Sequence, residues 1–253
     1  MADTQAKIQD FIQDPEITKY YGEIQSILET IQKCLQDAFK MPDAQVKELK
    51  EKGVFMEEWT CRFTKSSMFI FGGFVRDIIQ GIPVDKLKEK DVDVFIEEMS
   101  NISHERLAYI VRYLKEYLTM YKSVNVDWDY NVFWDDISHY GLVKMKIDGI
   151  RFDLSFDVNA HGRFSKMHDF ACNSLFCDTQ DGTLAARYRP LSVKECIDDI
   201  RNLRLRDMSK CTEYAYNGYS EKSLDIYRQQ MIKRKRKMLS YGYSLCVEEI
   251  TPI

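Results

Sequence analysis

The chain has 253 residues, 45% hydrophobic and 30% charged, which is enough for one large or two small domains and too apolar for a disordered polypeptide. Its formal net charge of −4 excludes an overall basic field, so any nucleic-acid contact has to come from a local patch. The opening MADTQAKIQDFIQD lacks an apolar core, and no run approaches the roughly 18 apolar residues of a membrane span, so neither a leader nor a membrane partner is expected.

Residues 1–50 read as a helix. Ile17, Tyr21, Ile24, Leu28, Ile31, Leu35 and Ala38 alternate by four and three, an a/d stripe over three heptads, with Pro15 near the start and Met41-Pro42 at the end. The stripe predicts packing on its own domain or, as the alternative, pairing with a second copy or another chain. Ser67–Phe71 reads as a buried strand closed by Gly72-Gly73, followed by a short helix over Phe74–Gln80 that ends at Gly81 and Pro83. Val92–Ile96 is a second strand. Residues 103–121 form an amphipathic helix through Leu107, Ile110, Val111, Leu114 and Leu118. Leu142–Ile147 and Ile150–Phe156 flank Asp148-Gly149, a strong hairpin signal. After Asn173 the pattern predicts a return to helix, with a long helix at roughly 219–241. The reading is an α+β chain: a helical N-terminal arm over 1–60, a head with a small mixed β-sheet and packed helices over 61–190, and a short helical neck over 191–253.

The seven cysteines form no CxxC pair and are odd in number, so reduced, buried thiols in an intracellular, cytoplasmic protein are expected rather than a zinc site or disulfides.

Three features carry chemistry. Gly72-Gly73 lies between a strand and a helix start, where glycine lets backbone approach a ligand and free N–H groups favour an anion; Arg76, one turn in, is placed to reach a phosphate. Asp91 and Asp93 lie two apart on a strand, on one face and about 7 Å apart, where two carboxylates repel unless cations sit between them. That suits two-metal phosphoryl transfer, and magnesium prefers such oxygen ligands. Asp153, flanked by apolar neighbours on the hairpin strand, also calls for a partner or a metal, with Asp157 on the same face as its rival. In the C-terminal region, Lys233, Arg234, Lys235, Arg236 and Lys237 form a basic run that reads as an RNA contact, a nuclear address or a solvated face.

Taken together, Gly72-Gly73-Phe74-Val75-Arg76-Asp77 and Lys90-Asp91-Val92-Asp93-Val94 resemble the GGxVRD…DxDI signature of the class II CCA-adding enzyme and bacterial poly(A) polymerase head, a branch of the DNA polymerase beta-like nucleotidyltransferases. Asp169–Asp178 is similar to that family's RRDFTxNAxxxD motif. The resemblance covers about residues 66–190, and 191–245 loosely. It implies that Asp91, Asp93 and Asp153 hold Mg2+, or Mn2+, that Gly72, Gly73 and Arg76 contact the triphosphate of ATP or CTP, and that Asp169, Asn173 and Arg228 shape the nucleotide site. It further implies transfer of a nucleoside monophosphate to an acceptor hydroxyl, an RNA 3′ end first. A protein or small-molecule acceptor, or a non-catalytic scaffold, are the alternatives. Met167-His168 replaces the family's paired arginines, and the base-selecting EDxxR is present only as the displaced pair Asp225 and Arg228.

Overall fold

The structure, a computed structural model, describes residues 6–39, 68–96, 126–127, 133–135, 140–157, 170–186, 191–208 and 221–246, with Leu114 and Leu118. In chain order the described helices are α1 (Pro15–Phe39), α2 (Gly73–Ile79), α3 (Val84–Lys88), α4 (Val193–Arg201) and α5 (Glu221–Ser240). The strands are β1 (Met68–Phe71), β2 (Asp91–Ile96), β3 (Val126–Asp127), β4 (Phe133–Asp135), β5 (Tyr140–Ile147), β6 (Ile150–Asp157), β7 (Leu175–Asp178), β8 (Leu184–Ala186), β9 (Arg204–Leu205) and β10 (Ser244–Leu245). The chain is α+β, as its alternating periodicities require, and it divides into two units.

One unit comprises Thr18–Ile70 and Lys88–His161. It holds six strands of a mixed sheet, in the order β3-β5-β6-β2-β1, with β4 also on β5. The only parallel pair in this sheet among the described residues is β2–β6, where Asp91 lies opposite Arg151 and Asp93 opposite Asp153. The β5–β6 hairpin closes on Asp148 and Gly149 at φ 50° and 84°, with Ile147 opposite Ile150. Both central residues are left-handed, as the two-residue turn that matches strand twist demands. Strand side chains alternate between faces. Val92, Val94, Ile96, Val143, Met145, Ile147, Phe152, Leu154 and Phe156 therefore fall on one face, and all are buried. Leu114 and Leu118 are helical and buried, and the rest of the helix read at 103–121 lies outside the described residues. On α1, Tyr21, Ile24, Leu28, Ile31 and Leu35 are at most 3% exposed in the single chain, so the stripe is covered without a second copy. Ala38 has no described side chain.

The other unit comprises Met1–Ile17, Phe71–Leu87 and Gly162–Ile253. The return to helix expected after Asn173 is corrected here: a β7–β8 hairpin comes first, with Leu175 opposite Ala186 and Cys177 opposite Leu184. Asp178 and Asp181 accept the backbone N–H groups of Gln180 and Thr183 to build its turn, and Gly182 closes it at φ 74°. The N-terminal segment supports the hairpin from outside, since Ile8 N–H donates to the Gly182 carbonyl and Leu184 N–H to the Ala6 carbonyl, each at 2.9 Å. These are contacts across the length of the chain that no local pattern encodes. Phe71 stacks on Phe176, ring centroids 5.3 Å apart. Helix α4 begins with a capping box, in which Ser192 Oγ accepts from Glu195 N–H and Glu195 Oε2 accepts from Ser192 N–H. The long helix α5 follows at Glu221–Ser240, within a residue or two of its expected bounds.

Candidate functional site

The polar face of these six strands, β1 to β6, carries the three carboxylates. Register places two rows of charges across β5, β6 and β2: Lys146, Arg151 and Asp91 in one, Lys144, Asp153 and Asp93 in the next. Asp93 and Asp153 are direct partners on neighbouring parallel strands, about 4.8 Å apart along the hydrogen-bonding direction, and Asp91 lies one pair along on the same face. The expectation that Asp91 and Asp93 share a face agrees with the register, which adds Asp153 to that face. Asp157 ends β6 opposite Tyr140, and its side chain lies outside the described residues.

The cations of that face were not singled out from sequence. Lys144 Nζ lies 2.6 Å from Asp153 Oδ2, and Arg151 Nε lies 2.8 Å from Asp91 Oδ1. Arg151 also donates to the Glu89 carbonyl. The hydrogen bond to Asp153 raises the pKa of Lys144; burial pulls it down, and the charges of Asp153, Asp91 and Asp93 add to the rise. Register was the missing signal: β5 and β6 alternate through a two-residue turn, so Lys144 falls opposite Asp153 by counting outward from Asp148-Gly149.

The chemistry of this donor set fits a divalent hard cation: three carboxylates on one face, with Asp91 45% exposed and Asp153 at 16%. Their present placement is not a preformed cage, because among the described residues no group of three or more His, Cys, Asp or Glu side chains is gathered for one ion. Asp91 and Asp153 point to their basic neighbours instead.

In the other unit, Gly72 sits at φ 72°, ψ −136°, a backbone state that glycine alone adopts readily. A Cβ on Gly73 would meet Arg76 Nη2 at 3.4 Å. Gly72 thus has a conformational cause in addition to any ligand, whereas the contact at Gly73 is an ordinary one with the end of the Arg76 side chain. Arg76 is 6% exposed, and its fork is occupied. Its Nε donates to Asp77 Oδ1 at 2.8 Å, and Nη1 donates to Asn173 Oδ1 at 2.8 Å and to Met238 Sδ at 3.2 Å. Burial works against its charge, but Asp77 outweighs that and raises the guanidinium pKa. Arg76 and Asn173 are therefore brought together, as partners of each other, tying α2 and the 3-10 turn Ala171–Asn173 to α5. Asp169, like Met167-His168, lies outside the described residues. Arg228 is exposed on α5.

Of the basic run on α5, Lys233, Arg234, Arg236 and Lys237 are exposed, while Lys235 lies 3.6 Å from Asp207. Met231 and Met238 form the buried seam of this helix, seven residues apart. The exposed large apolar side chains of the described residues, Ile232, Leu239, Tyr241 and Leu245, all fall within or just after it. A further ion pair has no signal in the local sequence: Asp199, fully buried, accepts from the partly buried Arg206 Nε at 2.6 Å and joins α4 to the segment after β9.

No protein-family model matches the chain, and no curated protein matches it. Among solved structures, the chain is similar to the Thermotoga maritima CCA-adding enzyme complexed with tRNA-CCA, at a TM-score of 0.40 and 14% identity over 80% of this chain and 36% of that one. The chain thus spans just over a third of that enzyme's length. No described helix is long and apolar enough to cross a membrane.

Proposed function

We propose that this chain transfers a nucleoside monophosphate from a nucleoside triphosphate, ATP or CTP, to the 3′ hydroxyl of an RNA. The acceptor hydroxyl gives up its proton to solvent as its oxygen bonds to the α-phosphorus, the bond from that phosphorus to the bridging oxygen breaks, and pyrophosphate leaves with the electron pair. The observation that supports this reading is the carboxylate face: Asp93 in direct register with Asp153, and Asp91 one pair along. Magnesium or manganese held by these three would supply positive charge to the transferring phosphoryl group. The strands keep the carboxylates fixed, because their opposite faces are locked in the apolar layer, so little reorganisation accompanies turnover. The backbone around Gly72-Gly73 is the segment this reading assigns to the triphosphate, with Arg76 as a positioning residue that holds α2 in place. Lys233, Arg234, Arg236 and Lys237 would take RNA phosphates, which set position and much of the affinity.

A second reading, a non-catalytic relative used for binding, is favoured by one specific observation: Asp91 and Asp153 are both ion-paired. Incubating the full chain with each α-labelled nucleoside triphosphate, magnesium and total RNA separates the two. Label in RNA supports the transferase, label in protein or a small molecule moves the acceptor, and no label with any of the four nucleotides favours the binding relative.

A further inference from the structure

The polar sheet face is balanced in charge: three carboxylates and three basic side chains fill two rows across three strands, Lys146-Arg151-Asp91 and Lys144-Asp153-Asp93. Asp93 and Asp153 lie next to each other in register, and like charges so placed repel. The ammonium of Lys144, 2.6 Å from Asp153, is the cation that relieves this in the structure. It stands on the same row as both acids, on the strand adjacent to Asp153, so it occupies a share of the charge that a divalent ion would bring. We propose that Lys144 is a resident counter-ion which a divalent cation has to displace from Asp153, so that this one lysine sets the metal affinity of the carboxylate face. The inference rests on the nucleotidyltransferase reading for the identity of the ion's site, and it concerns Lys144 itself, to which that reading gives no role.

Two features make Lys144, rather than Arg151, the exchangeable partner. Arg151 has two anchors, the Asp91 carboxylate and the Glu89 carbonyl, and its planar fork is preorganised for them. Lys144 ends a flexible four-carbon stem, its side chain is 39% exposed, and among the described residues its one ion-pair partner is Asp153. An ion pair exposed to that extent is weak, so the amine can swing into solvent when a stronger cation arrives. The pair therefore tunes affinity downward without closing the site.

Titration of the full chain with Mn2+, following free ion by electron paramagnetic resonance, tests this without any catalytic readout. Lys144→Met keeps the apolar stem and removes the charge; it should bind Mn2+ about threefold to fivefold more tightly than the wild-type chain, the weight of one partly exposed ion pair. Lys144→Gln should do the same, and adding Asp153→Asn to either should abolish the gain. In the wild-type chain, reductive methylation of Lys144, quantified by mass spectrometry, should rise on Mn2+ saturation as the amine is released. That measurement needs no variant and stands even where Lys144→Met folds poorly. Wild-type binding of Mn2+ with both variants within twofold of it, or Lys144 methylation unchanged on saturation, overturns the proposal and leaves the metal site in place. If neither wild type nor variants bind Mn2+, the metal site itself is wrong and the proposal falls with it.

Discussion

Replacing Arg76 with alanine separates a nucleotide contact from a structural one. The guanidinium is 6% exposed, and it joins Asp77, Asn173 and Met238 from three elements. Asp77 is 2% exposed, so the substitution leaves a buried carboxylate without the cation beside it. Breaking a buried pair by removing one partner costs about 3–5 kcal/mol, against about 5–15 kcal/mol for the stability of a whole domain. With a urea slope of about 3 kcal/mol/M, suited to a chain of this size, the unfolding midpoint should fall by roughly 1–1.7 M. Arg76→Met with Asp77→Asn should recover part of the loss, because an uncharged pair leaves no buried ion behind. Urea unfolding followed by circular dichroism, with hydrogen exchange at the 171–173 turn, is the assay. A midpoint unchanged in Arg76→Ala, together with weaker binding of a non-hydrolysable nucleotide, would refute the structural role and return Arg76 to the triphosphate.

Four further outcomes follow from the described residues. Ser192→Ala should cost about 1 kcal/mol by uncapping α4. The Ser192 backbone N–H and hydroxyl hold Glu195 below the usual carboxylate range; its folded pKa lies under the unfolded one, so this support is full at neutral pH and is lost as pH falls through the glutamate range. Acid unfolding curves of Glu195→Gln should lack that increment. Cys196 is fully buried, and burial first, then Asp199, pushes its thiol up to about 12; it should stay unmodified by a thiol reagent in the native chain while half-buried Cys246 reacts, as peptide mapping would show. Replacing Lys233, Arg234, Lys235, Arg236 and Lys237 with glutamine should lower RNA affinity and flatten its salt dependence while sparing nucleotide binding, measured by filter binding across a salt series; an unchanged salt slope would place RNA elsewhere.

Legibility in the sequence followed the range of the interactions. The hairpin at Asp148-Gly149 is readable because its alternation and turn chemistry are local, and so is the shared face of Asp91 and Asp93, two apart on one strand; that Asp153 joins them depends on the long-range parallel pairing of β2 with β6. The apolar stripe on α1 was readable for the same reason, at helical period. The β7–β8 hairpin was not. Leu175-Phe176-Cys177 is too short to separate strand from helix by periodicity, and Leu184-Ala185-Ala186 favours helix by composition; pairing with β7 and the strap at Ala6 and Ile8 overrides that preference. Arg76 was read toward a phosphate because its partners, Asn173 and Met238, are 97 and 162 residues away in sequence. Lys144 was passed over because a lysine on a half-exposed strand is unremarkable until register sets it opposite an aspartate.

The central claim is that the carboxylate face performs phosphoryl transfer, and Asp93→Asn tests it most directly. Asp93 is the direct partner of Asp153, and the substitution keeps shape while removing one charge. Single-turnover incorporation of labelled nucleotide into RNA, with magnesium and saturating nucleotide, should fall by on the order of a thousandfold or more in this variant, with unfolding unchanged. Incorporation by Asp93→Asn at the wild-type rate would contradict the account.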